Sequence, residues 1–212
     1  MTIKVLVLGT LLATLAAAPP MLAQAADQPP MHMPTPQHDY HASPAGTYTI
    51  DESHTGVVAR VSHIGYSWEV FRFRKVSGEL IWDPANPAAN KLTVTVEPGS
   101  ITTAPTGNVD FAAELSSPQF MNVAKYPTAT FVSRAFHVID ATHGKVDGDF
   151  TIMGKTIPAT FDVELVGAGP QFRGPVLGVT AHAQIPVTGL GLPPMFTVPI
   201  DLTVDTEFDR KN

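Results

Sequence analysis

The chain has 212 residues and a formal net charge of −6 at pH 7, with 44% hydrophobic and 15% charged residues. This apolar content is enough to bury one substantial core. No basic stripe of the kind that marks a nucleic-acid-binding surface is present, so we expect no nucleic-acid partner. The sequence contains no cysteine, which excludes disulfides, thiol chemistry and thiolate-ligated metal sites.

Residues 1–25 have the three parts of a secretory signal peptide. Lys4 supplies the positive charge, the run from Val5 to Ala18 is apolar and uncharged, and an A-x-A cleavage sequence ends at Ala25. The apolar run is shorter than the ~20 residues that a membrane-spanning helix needs. We therefore expect cleavage after Ala25, export to the periplasm, and no membrane-spanning segment in the mature chain.

Residues 26–46 form a polar segment rich in proline, histidine and methionine. A segment of this composition buries too little apolar area to offset its ordering entropy, so we expect a disordered leader. Imidazole and thioether groups also suit copper and zinc. A metal-binding leader therefore remains open as the alternative to a solvated tether. Its candidate ligands are Met31, His32, Met33, His38 and His41.

From Tyr48 onward, apolar and polar residues alternate with period two, which predicts strands with one apolar and one wet face. Phe71 and Phe73 alternate with Arg72 and Arg74 in one such run. Turn sequences, of which Met153-Gly154-Lys155 is an example, separate the runs. About eight strands at this spacing over residues 47–212 predict an all-β domain, either a sandwich or a closed eight-stranded antiparallel barrel.

The region from Val109 to Val123 is the only helical candidate. Ser117 followed by Pro118 has the pattern of an N-cap and a first helical residue. Phe120 and Met121 then place bulky apolar side chains on a segment too short to be stable alone. We expect a short helical segment near residues 110–123 that docks these side chains across one end of the barrel.

The sequence carries no catalytic motif of the G-x-S-x-G, P-loop or H-E-x-x-H type. Asp51, Ser53 and His54 lie close together, but neighbours on an extended strand point to opposite faces, so adjacency does not predict a triad. His54, His63 and His182 fit either a metal site or hydrogen-bonded positions at a barrel rim. We therefore predict no catalytic residue and no required cofactor.

Phenylalanine is frequent on the predicted inward faces, at Phe71, Phe73, Phe131, Phe150 and Phe161. Such residues line a ligand channel or fill a solid core, and the alternation alone does not distinguish the two.

Six segments carry a family resemblance, and they occur in this order: Tyr48–His54, Val61–Gly65, Gly78–Pro84, Val94–Thr103, Leu115–Pro127 and Val146–Thr156. Together they resemble the YceI-like family of exported, lipocalin-like polyisoprenoid-binding proteins. The resemblance covers residues 48–208. It implies an extended antiparallel barrel with a long isoprenoid chain, such as the tail of a quinone, threaded along an apolar pore.

The expected partner is therefore a hydrophobic small molecule, with an isoprenoid quinone or another lipid as the bound group. On the predicted strand faces, the expected lining consists of Phe71, Phe73, Val94, Val96, Phe131, Phe150 and Phe161. On the helical segment, Phe111, Leu115 and Phe120 are expected to gate one end of the pore. The sequence leaves open whether the barrel forms a homodimer.

Overall fold

The computed structural model describes residues 33–104 and 107–211. The chain divides into two units, residues 1–33 and 34–212, and Met33 is the only described residue of the first. The predicted signal peptide and the candidate ligands Met31 and His32 lie outside the described residues. No helix among the described residues is long and apolar enough to cross a membrane.

The described part of the second unit consists mainly of strands. The strands are β1 (Gly46–Ile50), β2 (Gly56–His63), β3 (Ser67–Phe73), β4 (Val76–Trp82), β5 (Lys91–Val96), β6 (Ile101–Thr103), β7 (Ala129–Val138), β8 (His143–Ile152), β9 (Lys155–Gln171), β10 (Gly174–Ile185) and β11 (Ile200–Arg210). Among the described residues, the one α-helix is α1 (Phe111–Ser116). Short 3-10 turns lie at Tyr40–Ala42, Glu52–His54, Pro87–Ala89 and Pro98–Ser100.

Eight of these strands close into an antiparallel ring. Their order is β1, β4, β5, β7, β8, β9, β10 and β11, and β11 then pairs with β1. The predicted eight-stranded barrel is confirmed. Closure leaves no free edge within the ring, so the alternating sequence pattern puts one face of each strand into the interior.

The other three strands extend the wall at one end of the barrel. The last part of β11 pairs with β1, and its first part, Asp201–Asp205, pairs with Gly56–Arg60 of β2. The strands β3 and β6 then follow β2. At the same end, Phe111 and Leu115 of α1 pack against a buried cluster that includes Phe71. This end therefore has a taller wall than the closed ring alone provides.

The short helix lies near the predicted position, but its boundaries differ from the prediction. The carboxylate of Asp110 accepts a hydrogen bond of 3.0 Å from the backbone N–H of Ala113, so Asp110 is the N-cap. Ser117, predicted to be an N-cap, is the C-cap. The reason is that Pro118 follows the helix and cannot continue it, a common arrangement after a C-cap. Residues 117–126 form hydrogen-bonded turns instead.

The sequence predicted a disordered leader through residue 46, whereas the structure folds residues 37–46 onto one end of the barrel. Gln37 and Ala168 exchange two backbone hydrogen bonds of 2.9 Å. Ser43 is fully buried, and its hydroxyl donates to the carbonyl of Val176 and accepts from the N–H of Gly169. The composition of the leader could not predict this folding, because the polar partners that offset the ordering entropy belong to the end of the barrel and not to the leader.

Candidate binding site

The barrel interior contains an apolar cavity of about 220 Å³ at the end extended by β2, β3, β6 and α1. We call it the first cavity. Seven of the ten predicted binding residues line it: Phe71, Phe73, Val96, Phe111, Leu115, Phe120 and Phe150. Strand side chains form its walls, and α1 with the turns after it covers one side. The structure therefore brings the predicted gating residues of the helical segment and the predicted strand residues to one cavity.

A second segment, the loop between β10 and β11, lies across the same cavity. Its apolar side chains in the lining are Leu190, Leu192, Met195 and Phe196. The ring of Phe196 meets the ring of Phe120 edge to face, with centroids 6.2 Å apart. Sequence reasoning missed this loop because its Gly- and Pro-rich sequence has neither helical nor strand periodicity. The available signal was four large apolar residues within a short irregular segment.

The lining of the first cavity includes few polar side chains, namely Ser62, His63, Glu69 and Glu114. His63 and Glu114 are exposed to solvent, and Ser62 and Glu69 are partly exposed. These polar groups therefore mark where the cavity opens to water, between the β2–β3 hairpin and α1. This arrangement suits a ligand with a long apolar part and a polar end.

A second apolar cavity, of about 170 Å³, occupies the other end of the barrel. The three remaining predicted residues, Val94, Phe131 and Phe161, line this second cavity. Tyr40, from the folded part of the leader, also lines it and meets Trp82 edge to face at 6.0 Å. The predicted lining residues thus all face the interior, but they are divided between two cavities.

Phe131 and Phe161 form an aromatic partition at the boundary between the two cavities. Their rings meet edge to face with centroids 4.9 Å apart. The ring of Phe131 lies directly over Gly148, where an added Cβ would come within 2.4 Å of it. Phe150, the register partner of Phe131, lines the first cavity. The boundary between the two cavities therefore runs beside the ring of Phe131.

On other strands too, one inward-facing residue lines the first cavity and the next inward-facing residue lines the second. Val96 lines the first cavity and Val94 the second, and Leu202 and Val204 divide in the same way. We therefore expect that a linear ligand longer than either cavity displaces the aromatic partition when it occupies both.

Asp51, Ser53 and His54, which were considered for a catalytic triad, belong to a short 3-10 turn that Asp51 caps. The carboxylate of Asp51 accepts a hydrogen bond of 2.7 Å from the backbone N–H of Ser53 and contacts Nδ1 of His54 at 2.8 Å. The hydrogen bond between the Asp51 carboxylate and the His54 ring lowers the pKa of Asp51 and raises the pKa of His54. Among the described residues, the Ser53 hydroxyl has no hydrogen bond to either side chain. The arrangement therefore lacks the serine–histidine contact of a triad.

The three histidines considered for a metal site lie apart. His54 precedes β2 and His63 ends it, which separates them by roughly 25 Å at ~3.3 Å per residue. Nδ1 of His182 contacts the hydroxyl of Thr203 at 3.0 Å on the outside of the barrel. In the leader, His41 contacts Asp39 at 2.9 Å. Within residues 33–104 and 107–211, no group of three His, Cys, Asp or Glu side chains is arranged to hold a metal ion.

Comparisons with known proteins agree on one family. The model of the YceI-like domain matches residues 48–209. Protein YceI of Escherichia coli O157:H7 is 37% identical over 144 residues, which cover 66% of this chain and 73% of that protein.

Solved structures share the fold. The crystal structure of Burkholderia cenocepacia BcnA matches with a TM-score of 0.63 at 20% identity, covering 76% of this chain and 99% of that one. The polyisoprenoid binding domain from Saccharophagus degradans matches with a TM-score of 0.54 at 14% identity, covering 77% and 98%. At these identities the two structures establish the fold alone. The match over residues 48–209, together with the similarity to the Escherichia coli protein, shows that the chain belongs to the YceI-like family.

Proposed function

We propose that the protein binds an isoprenoid or a similar long-chain amphiphile inside the barrel and carries or sequesters it in the periplasm. The observation that carries this proposal is the first cavity, which is apolar along its length and polar only where it opens to water. The fold shared with a polyisoprenoid binding domain supports the same class of ligand. The signal-peptide pattern of residues 1–25 supports export.

The mechanism we propose is burial of the tail, with no bond made or broken. Transfer of apolar surface from water contributes roughly 25 cal/mol per Å². A tail that buries on the order of 400 Å² therefore gains about 10 kcal/mol before the costs of ordering it are subtracted. His63, Glu69 and Glu114 are the groups positioned to contact a polar end of the ligand at the opening.

The test is native mass spectrometry of the exported, purified protein before and after extraction with organic solvent. We expect a bound amphiphile that extraction removes and that added isoprenoid quinone replaces. Ala59, buried on the inner face of β2, lines the first cavity, whereas Val58 lies on the outer face. Ala59→Phe should fill the cavity and abolish binding, and the control Val58→Phe should retain it.

The proposal fails if the folded wild-type protein carries no amphiphile and takes up none when it is added. It also fails if Ala59→Phe folds and binds as well as Val58→Phe, because binding would then take place outside the first cavity.

A further inference from the structure

Asn90 is a buried amide in the wall of the second cavity. It is only 6% exposed, and it lines this cavity together with Leu92 and Val94. Asn90 comes immediately before β5. Because successive side chains of an extended chain alternate between two faces, Asn90 shares the inner face with Leu92 and Val94. The second cavity therefore has a buried polar side chain among apolar ones.

Only one end of this amide has a hydrogen-bond partner. Oδ1 of Asn90 accepts a hydrogen bond of 2.6 Å from the backbone N–H of Asp83, which fixes the orientation of the amide. Among the described residues, Nδ2 donates to no acceptor. In the same part of the chain, every completely buried side-chain nitrogen or oxygen atom has a partner, so Nδ2 is in contact with free space. The free space that Asn90 lines is the second cavity.

An ordered water molecule is a poor partner for Nδ2 at this position. A buried water needs about two to four polar partners. The other buried polar side chain in the lining is Thr206, and its hydroxyl is already bonded to the hydroxyl of Thr55 at 2.7 Å. A molecule that buries apolar surface and offers one acceptor atom therefore satisfies the Asn90 amide better than water does.

The size of the second cavity suits a single ring. Its volume is about 170 Å³. An apolar cavity of about 150 Å³ lined by leucine, isoleucine and phenylalanine binds benzene. The walls of the second cavity are likewise apolar, and they include the rings of Phe136, Phe161 and Phe208. The space therefore accommodates one ring with a small substituent.

The folded leader covers the outer end of the second cavity. The N–H of Tyr40 donates to the carbonyl of Ala141 at 3.2 Å, and both residues line the cavity. The indole N–H of Trp82, which also lines it, donates to the carbonyl of Ser43 at 3.2 Å. The leader precedes residues 48–209, which the family model matches, so family membership does not imply this cover. Reduced access of water strengthens a hydrogen bond made inside the cavity.

We propose that the second cavity is a separate binding site for a compact, uncharged ring compound that carries a carbonyl oxygen. The ring packs among the aromatic walls, and the carbonyl oxygen accepts a hydrogen bond from Nδ2 of Asn90. A carbonyl oxygen only accepts, whereas a hydroxyl group brings a donor that apolar walls leave unsatisfied. A carboxylate is disfavoured more strongly, because its charge would be buried without a partner. This site requires no ligand in the first cavity and does not depend on the function proposed above.

The experiment measures the binding of two ring compounds of nearly the same shape to protein freed of bound lipid. Acetophenone carries the carbonyl group, and α-methylstyrene has a methylene group in place of the oxygen. Isothermal titration calorimetry gives the affinity of each compound for the wild type and for Asn90→Leu, which keeps the side-chain size and removes the amide. We expect saturable binding of acetophenone to the wild type. In Asn90→Leu, its affinity relative to that of α-methylstyrene should fall about fivefold to tenfold.

Three variants locate the site. Ala181 lines the second cavity, whereas His182, the next residue of β10, contacts Thr203 on the outside of the barrel. Ala181→Phe should fill the second cavity and abolish acetophenone binding, and the control His182→Phe should retain it. Ala59→Phe, which fills the first cavity, should also retain it.

A measurement on the wild type covers the case in which a variant does not fold. The side-chain N–H groups of Asn90 give their own signals in ¹H–¹⁵N NMR spectra. We expect acetophenone to move these signals downfield relative to their position with α-methylstyrene, because a hydrogen bond deshields the donated proton.

The proposal is overturned if the wild type binds neither compound saturably. It is also overturned if acetophenone binding survives Ala181→Phe and is lost in Ala59→Phe, because the compound then occupies the first cavity. Asn90 signals that are the same with both compounds, together with an unchanged preference in Asn90→Leu, would contradict the hydrogen bond. Acetophenone binding by a protein that takes up no amphiphile would support this site and refute only the function proposed above.

Discussion

Replacing Phe131 by alanine removes the ring that separates the two cavities. Phe131 is buried, its ring packs edge to face on Phe161 at 4.9 Å, and it covers Gly148. The side chain of alanine at position 131 is too short to make any of these contacts. We expect the cavities of about 220 and 170 Å³ to join into one continuous channel.

The stability cost of this change follows from the burial of the ring. Truncating a buried phenylalanine to alanine costs about 3–5 kcal/mol, because the transfer free energy is lost and a cavity is left behind. This is a large fraction of the ~5–15 kcal/mol that stabilises a typical domain. Phe131→Leu, which keeps more of the volume, is the milder companion variant, and urea denaturation measures both.

Although Phe131→Ala lowers the stability of the fold, we expect it to tighten the binding of long ligands. Each additional buried methylene contributes about 0.8 kcal/mol, so a further five-carbon isoprene unit contributes roughly 4 kcal/mol before ordering costs. After these costs, we expect each unit that enters the joined channel to tighten binding by on the order of tenfold. The assay is a displacement titration with prenyl alcohols of increasing length against the wild type, Phe131→Ala and Phe131→Leu.

A control at the opening separates this effect from a general change in affinity. Phe196 lines the first cavity, where its ring meets that of Phe120, and it has no part in the lining of the second cavity. Phe196→Ala should weaken the binding of short and long chains alike. If folded Phe131→Ala shows the same dependence on chain length as the wild type, the ring does not limit the channel and the reasoning is refuted.

Three further changes test the fold around the cavities. Gly148→Ala places a Cβ 2.4 Å from the Phe131 ring and 2.5 Å from the carbonyl oxygen of Val132, and it should cost about 1–3 kcal/mol in urea denaturation, as overpacking does; a neutral result would contradict the close packing of both groups on Gly148. Ser43→Ala leaves the N–H of Gly169 without its partner and should cost about 1–3 kcal/mol, whereas an unchanged midpoint would show that the hydrogen bonds of the Ser43 hydroxyl add no stability. Hydrogen bonds from backbone N–H groups lower the pKa of Asp140 from 3.8 to about 2. Because the native pKa is below the unfolded one, Asp140 stabilises the fold above pH ~4 and loses this effect as the pH falls through about 2. Asp140→Asn should therefore flatten the acid dependence of the melting temperature over that range, and an unchanged slope would contradict the assignment.

Much of the lining could be predicted because the inward face of a strand is a local property. Period-two alternation assigns Phe71, Phe150 and Phe161 to the interior whatever the order of the strands. The same reasoning failed for the β10–β11 loop, whose side chains reach the cavity without regular backbone structure. It also failed for the cap of α1, because Ser117 with Pro118 fits the end of a helix as well as its beginning.

The sequence by itself determined the all-β class, the faces of the strands and the family. Only the tertiary structure decided which strands close the ring, how β11 is shared between β1 and β2, and where the leader packs. It also decided that Phe131 and Phe161, equivalent to the other inward phenylalanines in the sequence, meet and divide the interior. These features depend on strand register and on contacts between residues far apart in the chain, and alternation along a single strand carries no information about either.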